Sequence, residues 1–110
     1  MLEADQMFHA AAVLGAAGAT DWRALDLVTL AGRITLDGAV AGEGVGGDLL
    51  GHPLASLAWL AAAPLAARFG GLRAGQVVML GSVTPPVWLA GPGAVTVAFP
   101  PLPAVTVRFV

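Results

Sequence analysis

The sequence predicts a β-rich α+β domain, and three stretches carry that prediction. From Pro53 to Phe69 the chain is apolar on all sides, with no charge before Arg68. Asp37-Gly38 sits between two strand-like runs. Two near copies of one alternating pattern, Val-Thr-Val-Ala-Phe at 95–99 and Val-Thr-Val-Arg-Phe at 105–109, close the chain. The expected architecture is a curved mixed sheet or β-roll enclosing one main helix.

The elements follow in order. Residues 5–19 are Ala-rich and end in Gly15 and Gly18, so they suit a poor short helix or an extended segment equally. Thr20 and Asp21 can cap a single turn over 22–24. Residues 25–36 turn strand-like, with Ile34 and Leu36 on one face and Arg33 and Thr35 on the other. Asp37-Gly38 predicts a type I′ hairpin, which needs positive φ at both central residues, and 39–43 is the returning strand. Pro53 fits the first turn of a helix, where its missing N–H has no partner to lose. Gly70 and Gly71 are the stop. Pro64 breaks one backbone hydrogen bond inside this stretch, so a kink or a second short helix is expected there. A helix without a polar stripe is a buried helix. Short strands are expected at 77–80 and 87–89, interrupted by residues 81–86, and the two Val-Thr-Val strands are expected to pair antiparallel across 100–103.

Composition narrows the function. The 110 residues are 57% hydrophobic and 11% charged, against about 25% charged in typical domains. A domain this small exposes about a third of its unfolded surface, and these charges cannot cover it. Part of the surface is therefore expected to lie against another lobe or another copy of the chain. The net charge of −2 and five scattered arginines give no basic footprint for nucleic acid. Cysteine is absent, which excludes disulfide and thiolate chemistry. The acidic start, Met-Leu-Glu-Ala-Asp-Gln, lacks the positive charge of a secretory signal. Residues 49–67 approach the ~20-residue membrane-spanning length, but His52, Pro53, Ser56 and Pro64 argue for a core helix and against the membrane.

Few residues can carry chemistry. All seven carboxylates precede residue 49. Glu3 and Asp5 have a spacing that lets two carboxylates meet one hard cation, yet no third ligand lies nearby, and a solvated terminus explains them better. His52, just before Pro53, reads as a helix-entry residue bonded to backbone rather than a base; His9 is open between the two roles. Residues 42–47, Gly-Glu-Gly-Val-Gly-Gly, match the dinucleotide spacing, but the preceding strand belongs to a hairpin and no acid follows Asp48. They read as a flexible connection. Neither Ser56 nor Ser82 sits in a nucleophile elbow. Gly81, Ser82, Val83 and Thr84 form the one polar spot in an apolar run. They suit either a cradle for a carboxylate or a bulge whose hydroxyls satisfy the local backbone.

Several segments together resemble a known family. Gly-His-Pro-Leu-Ala-Ser-Leu-Ala-Trp-Leu-Ala at 51–61, Leu-Arg-Ala-Gly-Gln-Val-Val-Met-Leu-Gly-Ser-Val-Thr-Pro-Pro-Val at 72–87 and Val-Thr-Val-Arg-Phe at 105–109 occur in the same order in the C-terminal half of the 2-oxopent-4-enoate hydratases and 4-oxalocrotonate decarboxylases. These belong to the fumarylacetoacetate hydrolase superfamily. The resemblance runs from about Asp5 to Val110. It implies a lyase of aromatic catabolism, cytoplasmic, acting on a small 2-oxo acid bound through Mg²⁺ or Mn²⁺, which serves as Lewis acid. It also implies that Gly81, Ser82 and Thr84 border the substrate.

The departures define the expectation further. The family's Glu-x-Glu metal pair, its third acid and its catalytic lysine lie upstream of the matched region, and this chain has no lysine. The family's Asp-Asn-Ala-Ser-Ser substrate segment stands here as Asp5-Gln6-Met7-Phe8-His9. Residues 1–110 are therefore expected to be a single domain, the C-terminal lobe of a larger catalytic unit. It is expected to be incomplete alone, without metal ligands of its own, and to pair with a missing N-terminal lobe or to form a homo-oligomer. The competing expectation is a non-catalytic assembly module derived from the same fold.

Overall fold

The computed structural model describes residues 10–18 and 21–110. Glu3, Asp5, Gln6, Met7, Phe8, His9 and Thr20, singled out above, lie outside the described residues. Residues 10–18 have no regular secondary structure. Asp21 caps a 3-10 turn over Trp22–Ala24, its Oδ1 accepting the Arg23 N–H at 3.1 Å.

Four strands build one sheet: β1 (Ala31–Leu36), β2 (Ala39–Val45), β3 (Gly93–Ala98) and β4 (Val105–Phe109), in the order β2-β1-β3-β4. All the pairings are antiparallel. The α+β class holds, with an antiparallel sheet in place of the mixed one expected. Asp37 and Gly38 take φ of 48° and 84°, the positive pair that a type I′ turn requires. A bulge between Ile34 and Thr35 shifts the β1–β2 register, so Ile34 faces Gly42 while Thr35 faces Val40. Thr96 and Thr106 face each other across β3 and β4, and their hydroxyls meet at 2.8 Å.

The helical stretch is two helices, α1 (Pro53–Ala62) and α2 (Pro64–Arg68). Ala63 is extended between them, with ψ of 134°, because the residue before a proline is pushed out of the helical region. His52 caps α1, its Nδ1 accepting the Leu54 N–H at 3.1 Å. Gly70 and Gly71, both at positive φ, end α2, and the Gly71 N–H bonds back to the Ala66 carbonyl at 2.8 Å.

Two expectations are corrected. The stretches 77–80 and 87–89 are not strands; Pro85 and Pro86 remove ladder donors, and the chain runs irregularly past the sheet. Nor does the sheet enclose the helix. No α1 residue is buried, and Trp59 is 71% exposed. Four short strands supply one face, and an apolar rod needs cover on all sides. Among the described residues the only buried hydrophobic side chain is Ala66.

Candidate functional site

β2 positions the site by what it lacks. Gly42 and Gly44 fall at alternate positions and so share one side of the strand, while Glu43 and Val45 take the other, and Gly46 follows directly after its end. A Cβ on Gly44 would strike the Val83 carbonyl, one on Gly42 would crowd the Thr84 side chain at 3.2 Å, and one on Gly46 would strike the Leu27 carbonyl. Across the ladder, Gly32 pairs with Gly44 and carries the Phe99 ring against its bare backbone. The glycine-rich segment is thus ordered strand followed by a 3-10 turn over Gly46–Asp48, rather than the flexible connection expected. Its glycines let the loop 81–84 lie directly on the sheet.

On that side of the sheet lies a cavity of about 480 Å³. Ile34 and Val97, paired across β1 and β3, contribute to its floor. Leu49 and Leu54 border it from the α1 end, and Met79 from the irregular run before the loop. Gly81, Ser82 and Thr84 all line it, so the structure brings the predicted polar spot to the edge of an apolar hollow.

The hydroxyls there are unequal. Ser82 Oγ donates to the Thr84 carbonyl at 2.7 Å and accepts the Thr84 N–H at 3.2 Å. This closes a local turn of the kind Ser and Thr side chains make with nearby backbone. The Thr84 hydroxyl has only a 3.4 Å approach to Ser82 Oγ, although Thr84 is just 7% exposed. Since Ser82 spends its one proton on the carbonyl, Thr84 is the donor in that long contact; its hydroxyl is the more weakly held of the two, and Ser82 fixes where it sits.

Charge stays off this surface. Among the described residues Arg33 is the one charged residue of the lining. It alternates with Gly32 and Ile34, which puts its side chain on the opposite side of the sheet. There its guanidinium meets Glu43, with Nη2 and Nε each 2.8 Å from Oε1. A second hollow of about 600 Å³, lined by Arg33, Glu43 and Asp48, opens on that opposite side. Its ion pair is 58% exposed on both partners, which leaves it little energetic weight. Asp26 lines neither hollow; hydrogen bonds from the Thr29 hydroxyl, then from the Thr29 and Val28 N–H groups, hold its carboxyl below its ordinary value.

The donors at the cavity do not fit the divalent metal that the resemblance implies. Hard cations take several oxygen ligands, usually with carboxylates among them, and this lining offers two neutral hydroxyls, one already engaged. Among the described residues no three acidic or imidazole groups gather. His52 is committed to its helix cap, as expected. Gly32, Gly42 and Gly44 were not anticipated as site-building residues. Glycine at every second position of a strand was the signal that could have found them.

No helix among the described residues is long and apolar enough to cross a membrane. No family model matches the chain. Over 86 residues it is 40% identical to a 4-oxalocrotonate decarboxylase of Pseudomonas putida, a match covering 78% of this chain and 32% of that protein. Over 67 residues it is 39% identical to a 2-hydroxyhexa-2,4-dienoate hydratase of Comamonas testosteroni, covering 60% and 25%. A 2-keto-4-pentenoate hydratase of Paraburkholderia phymatum is 36% identical over 88 residues, covering 79% and 33%. The solved structure of the 4-oxalocrotonate decarboxylase from Pseudomonas putida G7, complexed with calcium and acetate, superposes with a TM-score of 0.70 at 37% identity, over 80% of this chain and 34% of that one. The chain thus spans about a third of the length of the first and third of these curated relatives, and a quarter of the second. By sequence and by fold it is a partial-length homologue of the 4-oxalocrotonate decarboxylases and 2-keto-4-pentenoate hydratases.

Proposed function

We propose that this chain forms the substrate-contacting lobe of a lyase of the hydratase/decarboxylase type, acting on a small 2-oxo acid. The observation that carries the reading is the placement of Thr84, a nearly buried hydroxyl on a loop seated on glycine backbone, beside an apolar cavity of about 480 Å³. Cavities of roughly 300–1,000 Å³ with few polar groups are the usual form of a small-ligand site. In this reading the Thr84 hydroxyl donates to an oxygen of the acid's head, Ser82 holds Thr84 in place, and Gly81 lets the chain turn into the loop at φ of 117°. A divalent metal such as Mg²⁺ or Mn²⁺ would supply Lewis acidity in the complete unit, and its ligands belong to residues other than those described. Residues 1–110 are then one lobe of that unit, with a cytoplasmic location part of the same reading.

The test is turnover of 2-keto-4-pentenoate with Mg²⁺. The 110-residue chain should be inactive alone and gain activity when mixed with the complementary part of a homologous hydratase. Thr84→Val should then remove most of that gain. Activity of the chain alone would show that it holds metal ligands after all. Absence of any rescue would leave the assembly reading.

That second reading has its own support. Trp59, Phe69 and Trp88 are 71, 81 and 85% exposed, and apolar rings of that size are seldom left to water without a partner. A mass measurement in solution addresses it: an assembly module forms a stable complex with a homologous subunit or with itself, whether or not the lyase assay succeeds.

A further inference from the structure

The two edges of the sheet are built differently. On β2 a bulge leaves Ala41 without a partner, since Ile34 faces Gly42 and Thr35 faces Val40, and bulges are one of the devices that blunt a sheet edge. Strand β4 has no bulge, no glycine and no proline, and its register with β3 runs unbroken from Val105 to Phe109.

The backbone groups that β4 turns outward follow from the hydrogen bonds of its neighbour. The Asp37 N–H donates to the Ala94 carbonyl, and the Ala94 N–H donates to Asp37 Oδ1, so Ala94 directs both its backbone groups toward β1. These groups alternate sides along an antiparallel strand. Val95 and Val97 therefore turn theirs toward β4, and their partners Val107 and Val105 turn theirs toward β3. Thr96 and Thr106 then form a non-hydrogen-bonded pair, the kind whose side chains come closest, in agreement with the 2.8 Å between their hydroxyls. What faces away from the sheet is the N–H and C=O of Thr106 and of Arg108. Among the described residues no segment bonds to them. Gly15 comes up against the Val105 side chain, which lies on the cavity side with its partner Val97 and not on the edge.

We infer that β4 pairs antiparallel with β4 of a second copy of the chain, about a two-fold axis at Val107, joining two four-stranded sheets into one. In this register Thr106 of each copy faces Arg108 of the other, and each of the two pairs exchanges two backbone hydrogen bonds. Val107 meets its own copy on the cavity side, and Val105 meets Phe109, a ring 45% exposed in the single chain. Aromatic and β-branched pairs of this kind stabilise facing strands. The neighbouring registers that keep the outward groups facing are worse. One sets the two Arg108 side chains opposite each other, and like charges so placed repel. The other sets Phe109 against Pro103, outside the strand. A two-fold interface needs a surface complementary to itself, and β4 is one in a single register. The inference stands apart from the lyase reading, because no β4 residue lines the cavity beside the loop 81–84.

Sedimentation and amide hydrogen exchange of the 110-residue chain, from micromolar to millimolar concentration, test the pairing. The chain should dimerise as concentration rises. The Val105 and Val107 amides should be protected throughout, and the Thr106 and Arg108 amides only where the dimer forms. Thr106→Glu should tighten the dimer about fivefold, because each new carboxylate faces an Arg108, and Thr106→Arg should weaken it by about the same factor. Both variants lose the same hydroxyl contact with Thr96, so the difference between them reads the charge alone. A chain that stays monomeric at every concentration overturns the inference. So does a dimer whose Thr106 and Arg108 amides exchange as fast as in the monomer, or protection of those amides that ignores concentration, or equal association of the two variants. None of these outcomes touches the lyase reading, which stands or falls on its own assay.

Discussion

Asp37 and Ala94 exchange hydrogen bonds in both directions: the Asp37 N–H donates to the Ala94 carbonyl at 2.8 Å, and Asp37 Oδ1 accepts the Ala94 N–H at 2.9 Å. A turn residue of the β1–β2 hairpin is thereby tied to β3, which lies more than fifty residues later. Asp37 thus serves the turn locally, through its φ of 48°, and the sheet globally, through its carboxylate.

Removing that carboxylate should be costly. Asp37→Ala loses an acceptor and tolerates positive φ poorly, so a loss of about 1–3 kcal/mol is expected in urea unfolding. Asp37→Asn keeps an amide oxygen and tolerates the left-handed region, and should lose less than half as much. Equal losses for the two would show that the Ala94 bond carries no weight.

Gly44→Ala should displace the loop 81–84, because the new methyl group meets backbone, the Val83 carbonyl, which has no rotamer to escape into. Overpacking of this kind costs about 1–3 kcal/mol. The amide resonances of Ser82 and Thr84 should shift along with the stability. Gly91→Ala is the control, since a Cβ there meets nothing within 4 Å. Unmoved Ser82 and Thr84 resonances in Gly44→Ala would refute the seating of the loop on β2.

His52→Ala should destabilise α1 by about 1 kcal/mol through loss of the cap to the Leu54 N–H, and His52→Asn should restore most of it. Helicity measured by far-ultraviolet circular dichroism reads both. A loss that Asn fails to restore would give the imidazole a role beyond the cap.

Asp26 sets a pH dependence whose sign is fixed. Its carboxyl is held below 3.8 by hydrogen bonds that only the folded chain makes, the Thr29 hydroxyl first. The unfolded chain therefore binds the proton more readily, so the contribution is present above pH 3.8 and is lost as the pH falls through the lowered value. Thermal melts of the wild type and Asp26→Ala should differ at neutral pH and converge in acid. A gap that widens in acid would reverse the assignment.

The sequence by itself determined the local structure. Asp37-Gly38 fixed a hairpin because few residue pairs accept positive φ twice in succession, Pro64 divided the helix because a proline ring cannot continue one, and the paired Val-Thr-Val patterns marked two strands because their alternation gives each a facing side. Residues 81–84 were visible as a polar spot, and the ordered motifs were enough to indicate the homologous enzymes. Tertiary structure decided the rest. Val77 and Val87 have strand-forming neighbours, yet a strand exists only where it pairs, and neither run pairs with β2 or β4, the edges of the sheet that formed. The glycines of β2 looked like a loose connection because a missing side chain has no pattern until the group that fills its space is known. Trp59 looked like core, and it stands exposed because hydrophobicity says that a surface must be covered but not by which polypeptide.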